Sequence, residues 1–324
     1  MVTVYRDPAE VPADFGPSVV AIGKFDGVHS GHRAVIDRAR VDAAARGARV
    51  VAVTFDRNPL SLLRPELCPE PLVALDQKIG LLAAAGVDAV LVLRFDAELA
   101  ALSARDFVEG ILVRALGAVG VLVGDDFRFG RGGEGDPDVL TALGREHGFD
   151  VDVVTDVRAR DAGRRVSSTW VRDLLAAGDV AGAARLLGRP HAVEAEVVHG
   201  LKRGRELGYP TANLATDAAG FIPADGVYAG WLVDLGMPGA DGMLPASVIR
   251  YPAAISVGTN PTFDDVPQRQ VEAYVLDETD LDLYGHRVEV RFTARIRGMV
   301  AFAGIPALIE QMDDDVVRVR EALA

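Results

Sequence analysis

Residues 23–32 read GKFDGVHSGH, with glycines at 23, 27 and 31 and histidines at 29 and 32. The apolar run SVVAI before them predicts a strand, and RAVIDRARVDAAARG after them predicts a helix. The stretch is therefore a strand-to-helix loop that carries imidazoles, a place suited to nucleotide phosphates. Gly31 lets the backbone come close to a phosphate. His32 falls in the first helical turn, where free N–H groups and the helix dipole favour anions. His29, three residues earlier, can face the same site. Two imidazoles there can donate hydrogen bonds to charge growing on a leaving pyrophosphate, and such donors are worth about 3–4 kcal/mol each. No nucleophilic side chain is needed, because an acceptor substrate can attack the α-phosphorus directly.

Outward from this loop the first half alternates. RVVAVTF, AVLVLRF, AVGVLVG and FDVDVVT predict strands, the first of them continuous and β-branched as in a strand buried on both faces. Between them, Asp76 is a candidate cap for the helix QKIGLLAAA, Ser103 with Asp106 forms a capping box, and Asp136-Pro137 opens a helix that ends near Gly148. Alternation of this kind implies a Rossmann-like α/β domain with a parallel sheet. Ligands of such sheets bind beyond the carboxyl ends of the strands. After helices at SSTWVRDLLAAG and DVAGAARLLG the pattern changes near residue 188. VEAEVVHG, GVYAGWLVDL, AAISVG, QVEAYVLD and HRVEVRFTARI are strand-like runs punctuated by Gly, Pro, Asp and Asn, which predicts a compact antiparallel β-barrel. A terminal helix with Ile305, Leu308, Ile309 and Met312 at helical spacing is expected to pack on it. The expected domains are 1–187 and 188–324.

The totals fit two globular domains: 324 residues, 49% hydrophobic and 25% charged. A formal net charge of −13 argues against a nucleic-acid backbone as partner. Cys68 is the single cysteine, so no intrachain disulfide forms and a cytoplasmic home is expected. MVTVYRDPAEVPADFG lacks the apolar core of a signal peptide, and no window reaches the ~18–20 apolar residues of a membrane span, so no membrane partner is expected.

Other segments add chemistry. In GDDFRFG, residues 124–130, Asp126 can hydrogen-bond the polar edge of a ring, and Phe127 or Phe129 can stack on it. RRVSSTWVR, residues 164–172, offers Ser167, Ser168 and Thr169 beside Arg164, Arg165 and Arg172, a set suited to a triphosphate. In HGLKRGRELGYPTANL, residues 199–214, Gly200, Gly204 and Gly208 allow tight turns, and Lys202, Arg203 and Arg205 can hold phosphates. If extended, Thr211 and Asn213 point to one side and offer two oxygens to Mg2+.

GKFDGVHSGH, TFDRNP, GDDFRFG and VSSTWVR, in that order, resemble the prokaryotic bifunctional riboflavin kinase/FAD synthetase family, as do GYPTAN, GVYAGWL, GTNPTF, VEAYVLD and DLYGHRVEVRF in the second half. The resemblance implies that the N-terminal domain adenylylates FMN to FAD with release of pyrophosphate. It implies an ATP site at Gly23, Lys24, Phe25, Asp26, Gly27, His29, His32, Ser167, Ser168, Thr169 and Arg172, with Asp126 and Phe127 on the flavin. The C-terminal domain is implied to phosphorylate riboflavin to FMN. There ATP would meet Gly200, Lys202, Gly204, Arg205, Gly208, Pro210, Thr211 and Asn213, with Mg2+ on Thr211 and Asn213. Glu272 matches the general base, and Asn260 and Arg297 match the flavin side. One departure is Arg57-Asn58-Pro59, where the family has Pro-His-Pro, and the segment LGMPGADGMLPASVIRYPAAI is longer than the family's connection. Two other readings stay open at this point: a nucleotidyltransferase for another phosphorylated small molecule, which the H-x-G-H loop alone permits, and a flavin-binding sensor with decayed catalysis.

Overall fold

The structure is a computed structural model that describes residues 2–155, 163–199, 209–239, 248–259, 269–278 and 280–324. It divides into two compact units: Met1–Pro71 with Leu75–Ser167, and Leu72–Ala74 with Ser168–Ala324.

In the first unit the continuous apolar runs become strands β1 (Thr3–Tyr5), β2 (Ser18–Ile22), β3 (Arg49–Phe55), β4 (Ala89–Leu93), β5 (Ala118–Gly124) and β6 (Asp150–Val154). They form one sheet in the order β1-β4-β3-β2-β5-β6, and every pairing is parallel. All residues of β2 and β4 are buried. Alternate side chains feed two cores: Val20 and Ile22 join one face, Val19 and Ala21 the other. Burial on both faces requires helical cover. It comes from α1 (Ser30–Arg46), α2 (Leu60–Leu63), α3 (Leu75–Ala84), α4 (Ala97–Ala101), α5 (Ala104–Phe107) with a π-type continuation over Val108–Ala115, and α6 (Pro137–His147). Caps act at several ends. Ser103 Oγ accepts from the Asp106 N–H, and Asp136 accepts from Val139 ahead of α6, which stops at left-handed Gly148. Asp76 lies inside the first turn of α3, which begins at Leu75, so it does not cap that helix. Strand β1, at the sheet edge beside β4, was not expected; three residues next to charges and prolines leave no readable period.

In the second unit α7 (Ser168–Ala176) and α8 (Val180–Leu187) precede β7 (His191–Val198), β8 (Thr211–Leu214), β9 (Gly226–Gly236), β10 (Ile249–Gly258), β11 (Gln270–Val275) and β12 (Arg287–Arg297). These strands close into a barrel in the order β10-β11-β8-β7-β12-β9, with antiparallel neighbours throughout. Burial alternates along β7 and β12, as a barrel with one packed interior demands. Tyr228 and Phe292 meet edge to face at 5.4 Å inside it. The terminal helix α9 (Ile305–Leu323) packs as expected, along the stripe that Ile305, Leu308, Ile309 and Met312 begin, but chiefly through its later turns. Ile305 is 50% exposed, whereas Val319, Val316 and Leu323 join Ala229 and Leu276 in a core cluster. The apolar positions of its first turns extend beyond the patch that the barrel offers.

Candidate active sites

In the parallel sheet β2 lies between β3 and β5, so the chain leaves β2 toward one side and returns on the other. Such a switch of direction opens a crevice at the carboxyl ends of the strands. The loop after β2 carries GKFDGVH, and the loop after β5 carries DDFRFG.

The β2 loop is sharply bent. Gly27 has φ 80°, and two residues with side chains also adopt left-handed conformations, Phe25 at 49° and Val28 at 40°. Each such position costs about 1–3 kcal/mol, which the burial of Phe25 and Val28 in the core opposes. His29 then caps α1, its Nδ1 accepting from the His32 N–H at 3.4 Å. Accepting at Nδ1 leaves the proton of a neutral ring on Nε2, as a donor. The two imidazoles stack at 3.7 Å and 15°. A Cβ on residue 31 would lie 3.0–3.1 Å from the His29 ring, so any larger residue there would crowd that ring. Phe25 meets His32 edge to face at 5.3 Å. Burial, then the charges of His29 and Lys78, hold the His32 imidazole well below its usual pKa, so it is neutral at pH 7. Its Nδ1 is buried and makes no hydrogen bond.

Lys78, on α3, escaped the sequence reading. It is 9% exposed, and Nζ donates to Phe55 O at 2.8 Å and to Lys24 O at 3.4 Å. Burial lowers its pKa to about 8, opposed by Asp26 and Asp56. The Phe95 N–H and Arg57 outweigh burial and hold Asp56 below the usual carboxylate range. On the β5 loop, Asp126 is exposed and pairs with Arg165 at 3.3 Å, as does Asp125. Phe127 stacks on buried Phe129 at 5.3 Å. Ser167 ends the first unit, while Ser168, Thr169 and Arg172 belong to α7 of the second.

The barrel builds its site from strand register. Glu272 stands opposite Asn213, and Tyr274 opposite Thr211. Directly opposed residues project to the same face of a sheet, and Thr211 and Asn213 are two apart on one strand. The three polar side chains therefore converge. Asn213 Nδ2 donates to Thr211 O at 3.2 Å and to Thr211 Oγ1 at 3.4 Å. Burial raises the Glu272 pKa, with a hydrogen bond from Thr211 acting against it. Among the described residues no cluster of three or more His, Cys, Asp or Glu side chains can hold a metal ion. A hydroxyl, an amide and a carboxylate are hard oxygen donors, however, and such a sparse set fits Mg2+, which keeps most of its waters.

Beside Thr211 opens a cleft walled by Val197, Pro210, Leu281, Leu283 and Tyr284. His199 lies against the Tyr284 ring at 3.8 Å. The Tyr209 hydroxyl donates to Asp313 of α9, so the residue before Pro210 is tied to the terminal helix. Arg297, at the end of β12, is clasped by Asp315, with Nε at 2.9 Å from both carboxylate oxygens and Nη2 at 2.7 Å from one. Its guanidinium also stands 5.6 Å over the Phe302 ring. Gly200, Lys202, Arg203, Gly204, Arg205, Gly208 and Asn260 lie outside the described residues.

The comparisons match the two halves of the chain separately. An FAD synthetase family model matches residues 11–170, and a riboflavin kinase family model matches residues 187–323. The chain belongs to the bifunctional riboflavin kinase/FMN adenylyltransferase family. It is 38% identical to the bifunctional riboflavin kinase/FMN adenylyltransferase of Escherichia coli K12, over 94% of this chain and 92% of that one. The enzyme of the same description from Pseudomonas fluorescens is also 38% identical, over 94% and 93%. A crystal structure described as a macrolide-efflux protein from Streptococcus pneumoniae matches 98% of both chains with TM-score 0.81 and 30% identity. Among the described residues of this bifunctional family member, no helix is long and apolar enough to cross a membrane.

Proposed function

We propose that this riboflavin kinase/FMN adenylyltransferase phosphorylates at Glu272 and adenylylates at His29 and His32. The kinase reaction is assigned to residues 188–324 and the adenylyl transfer to residues 1–187. The observation that carries the reading is the β8–β11 register, which sets Glu272 opposite Asn213 and within a hydrogen bond of Thr211.

In the barrel, Glu272 takes the proton of the riboflavin 5′-hydroxyl as that oxygen attacks the γ-phosphorus of ATP, and ADP leaves. A carboxylate whose pKa burial has raised is a stronger base, and a positioned base contributes about 10²–10⁴-fold. Thr211 and Asn213 would hold Mg2+, which when bound neutralises charge on the ATP phosphates. The cleft bounded by Tyr284, Leu283 and Glu278 is assigned to the purine of ATP, because it adjoins Thr211. Arg297, oriented by Asp315, serves the flavin side together with Asn260. The glycines and basic residues of the 200–208 stretch and Pro210 cradle phosphates.

In residues 1–187 the FMN phosphate attacks the α-phosphorus of a second ATP, and pyrophosphate leaves. His29 and His32 donate hydrogen bonds to the departing group, while Gly23, Lys24, Phe25, Asp26 and Gly27 wrap the nucleotide. Ser167, Ser168, Thr169 and Arg172 bind its phosphates, and Asp126 and Phe127 meet the isoalloxazine. ATP as shared co-substrate, a single cysteine and an acidic composition support a cytoplasmic enzyme of small molecules, without nucleic-acid or membrane partners.

Riboflavin and Mg-ATP are supplied to the pure chain, and the flavins are separated with time. FMN should appear first and FAD after it. Failure of FMN to form would remove the kinase assignment; failure of FAD to form from supplied FMN would remove the other.

A further inference from the structure

A buried lysine beneath the nucleotide loop has no part in the reaction as described so far. Lys78 projects from α3 under the carboxyl ends of β2 and β3. Its ammonium donates to one backbone carbonyl from each: Phe55 O at 2.8 Å and Lys24 O at 3.4 Å. The fully buried Thr54 also donates to Lys24 O, at 3.1 Å, and the Gly23 N–H reaches Val53 O at 3.1 Å. These bonds fasten the loop at its root. Directly beyond them come the left-handed residues Phe25, Gly27 and Val28, and then His29. Backbone held in sparsely populated conformations persists only where its surroundings over-determine it. A buried cation is also retained only when it is satisfied.

We propose that Lys78 is a positioning residue of the adenylyl transfer: by fastening the Lys24 and Phe55 carbonyls it holds the strained loop that aims His29 and His32 at the nucleotide phosphates. The proposal rests on the assignment of that reaction to the two histidines. Lys78 itself touches no substrate. Its charge has a second effect at the same place. The charged and titratable groups that act on it and on His32 are Asp26 of the loop, Asp56 after β3, and His29. The ammonium offsets the two carboxylates and helps to keep the His32 ring neutral. Burial places its own pKa at about 8, so the charge-assisted fastening belongs to the protonated form and weakens as the pH rises through that value.

The test uses the whole chain, whose kinase reaction calibrates the amount of enzyme in each sample, while circular dichroism melting reports the folding of the first unit. Lys78→Met and Lys78→Arg are compared with the wild type for both reactions. With Lys78→Met, kcat for FAD formation from FMN should fall about 100-fold, the scale of loss when reacting groups shift by an angstrom. KM for ATP should change far less, and riboflavin phosphorylation should stay within about twofold. Lys78→Arg, which keeps the charge, should recover most of the loss. A second measurement needs no folded Lys78→Met protein. The kcat/KM for ATP in adenylylation reports the free enzyme's ionisations, and in the wild type it should decline on the alkaline side near pH 8. In Lys78→Arg that limb should move to higher pH. A wild-type profile that stays flat through this range overturns the proposal. So does a Lys78→Met chain that still makes FAD at nearly the wild-type rate, or a Lys78→Arg chain no better than Lys78→Met. If the wild type makes no FAD at all, the histidine assignment fails first.

Discussion

Around His32 the fold gathers a second imidazole and a lysine; around Glu272 it gathers a hydroxyl and an amide. Both sites are assigned an ATP in the proposed function, yet their electrostatics run in opposite directions. At the sheet edge, burial and neighbouring cations drive an imidazole toward its neutral form, which leaves hydrogen-bond donors for a departing anion. In the barrel, burial drives a carboxyl toward protonation and so sharpens it as a base. The means of support also differ. The histidines depend on a loop with left-handed Phe25 and Val28. The glutamate depends on the repeat of two regular strands. The bond of ATP to be broken decides which of these a site requires: expulsion of pyrophosphate calls for donors, and an attacking alcohol calls for a proton acceptor.

The largest expected effect separates the two sites. Glu272→Ala should lower FMN formation by up to about 10⁴-fold and leave FAD formation from supplied FMN unchanged, as measured by flavin separation. Loss of both activities would break the two-site contrast. Next, His29→Ala should lower FAD formation by about 10²–10³-fold while FMN still accumulates. The variant also removes the acceptor for the His32 N–H, so it tests the cap and the donor together.

The third prediction sharpens the point about support. Asp315 is 4% exposed and clasps Arg297 from α9. Breaking a buried pair leaves a charge without its partner, so Asp315→Asn should destabilise the second unit by about 3 kcal/mol. KM for riboflavin should rise, and adenylylation should be untouched. A urea titration followed by kinase activity reads the stability. The last effect appears only in acid. His191 is 1% exposed, with Nε2 2.6 Å from Phe221 O, and burial lowers its pKa from 6.5 to about 4. Between those values the unfolded chain binds a proton that the folded chain refuses, so stability falls as pH drops through that window. The loss should reach about 3 kcal/mol near pH 4. His191→Gln should show a shallower decline.

Much of this was legible in the amino-acid order. Loop GKFDGVHSGH announced itself by residue type, and the caps Ser103 and Asp136 lie where their side chains predict. What stayed hidden had misleading local chemistry. Lys78 reads as a solvated helix lysine, because nothing in QKIGLLAAA tells which carbonyls stand above that face. The acidic run Asp313-Asp314-Asp315 reads as a wetted surface, yet Asp315 is buried on Arg297 and Asp313 accepts from Tyr209. Neither partner is near in sequence. The convergence of Glu272 with Thr211 and Asn213 needed a register, and a register is fixed by strands far apart along the chain.

Closure of the second sheet has a consequence for behaviour at high concentration. A strand with unpaired backbone groups is a template on which stray chains add. Among the described residues the barrel has no edge strand, since each of its strands has two partners. The parallel sheet exposes two such margins. One is the three-residue β1, too short to seed much pairing. The other is β6, where Arg46 grips Asp150 at 2.8 Å and Arg38 grips Asp152, so a newcomer would meet charge along one face of that margin. Aggregation by strand addition is thereby discouraged in both halves, in one by geometry and in the other by salt.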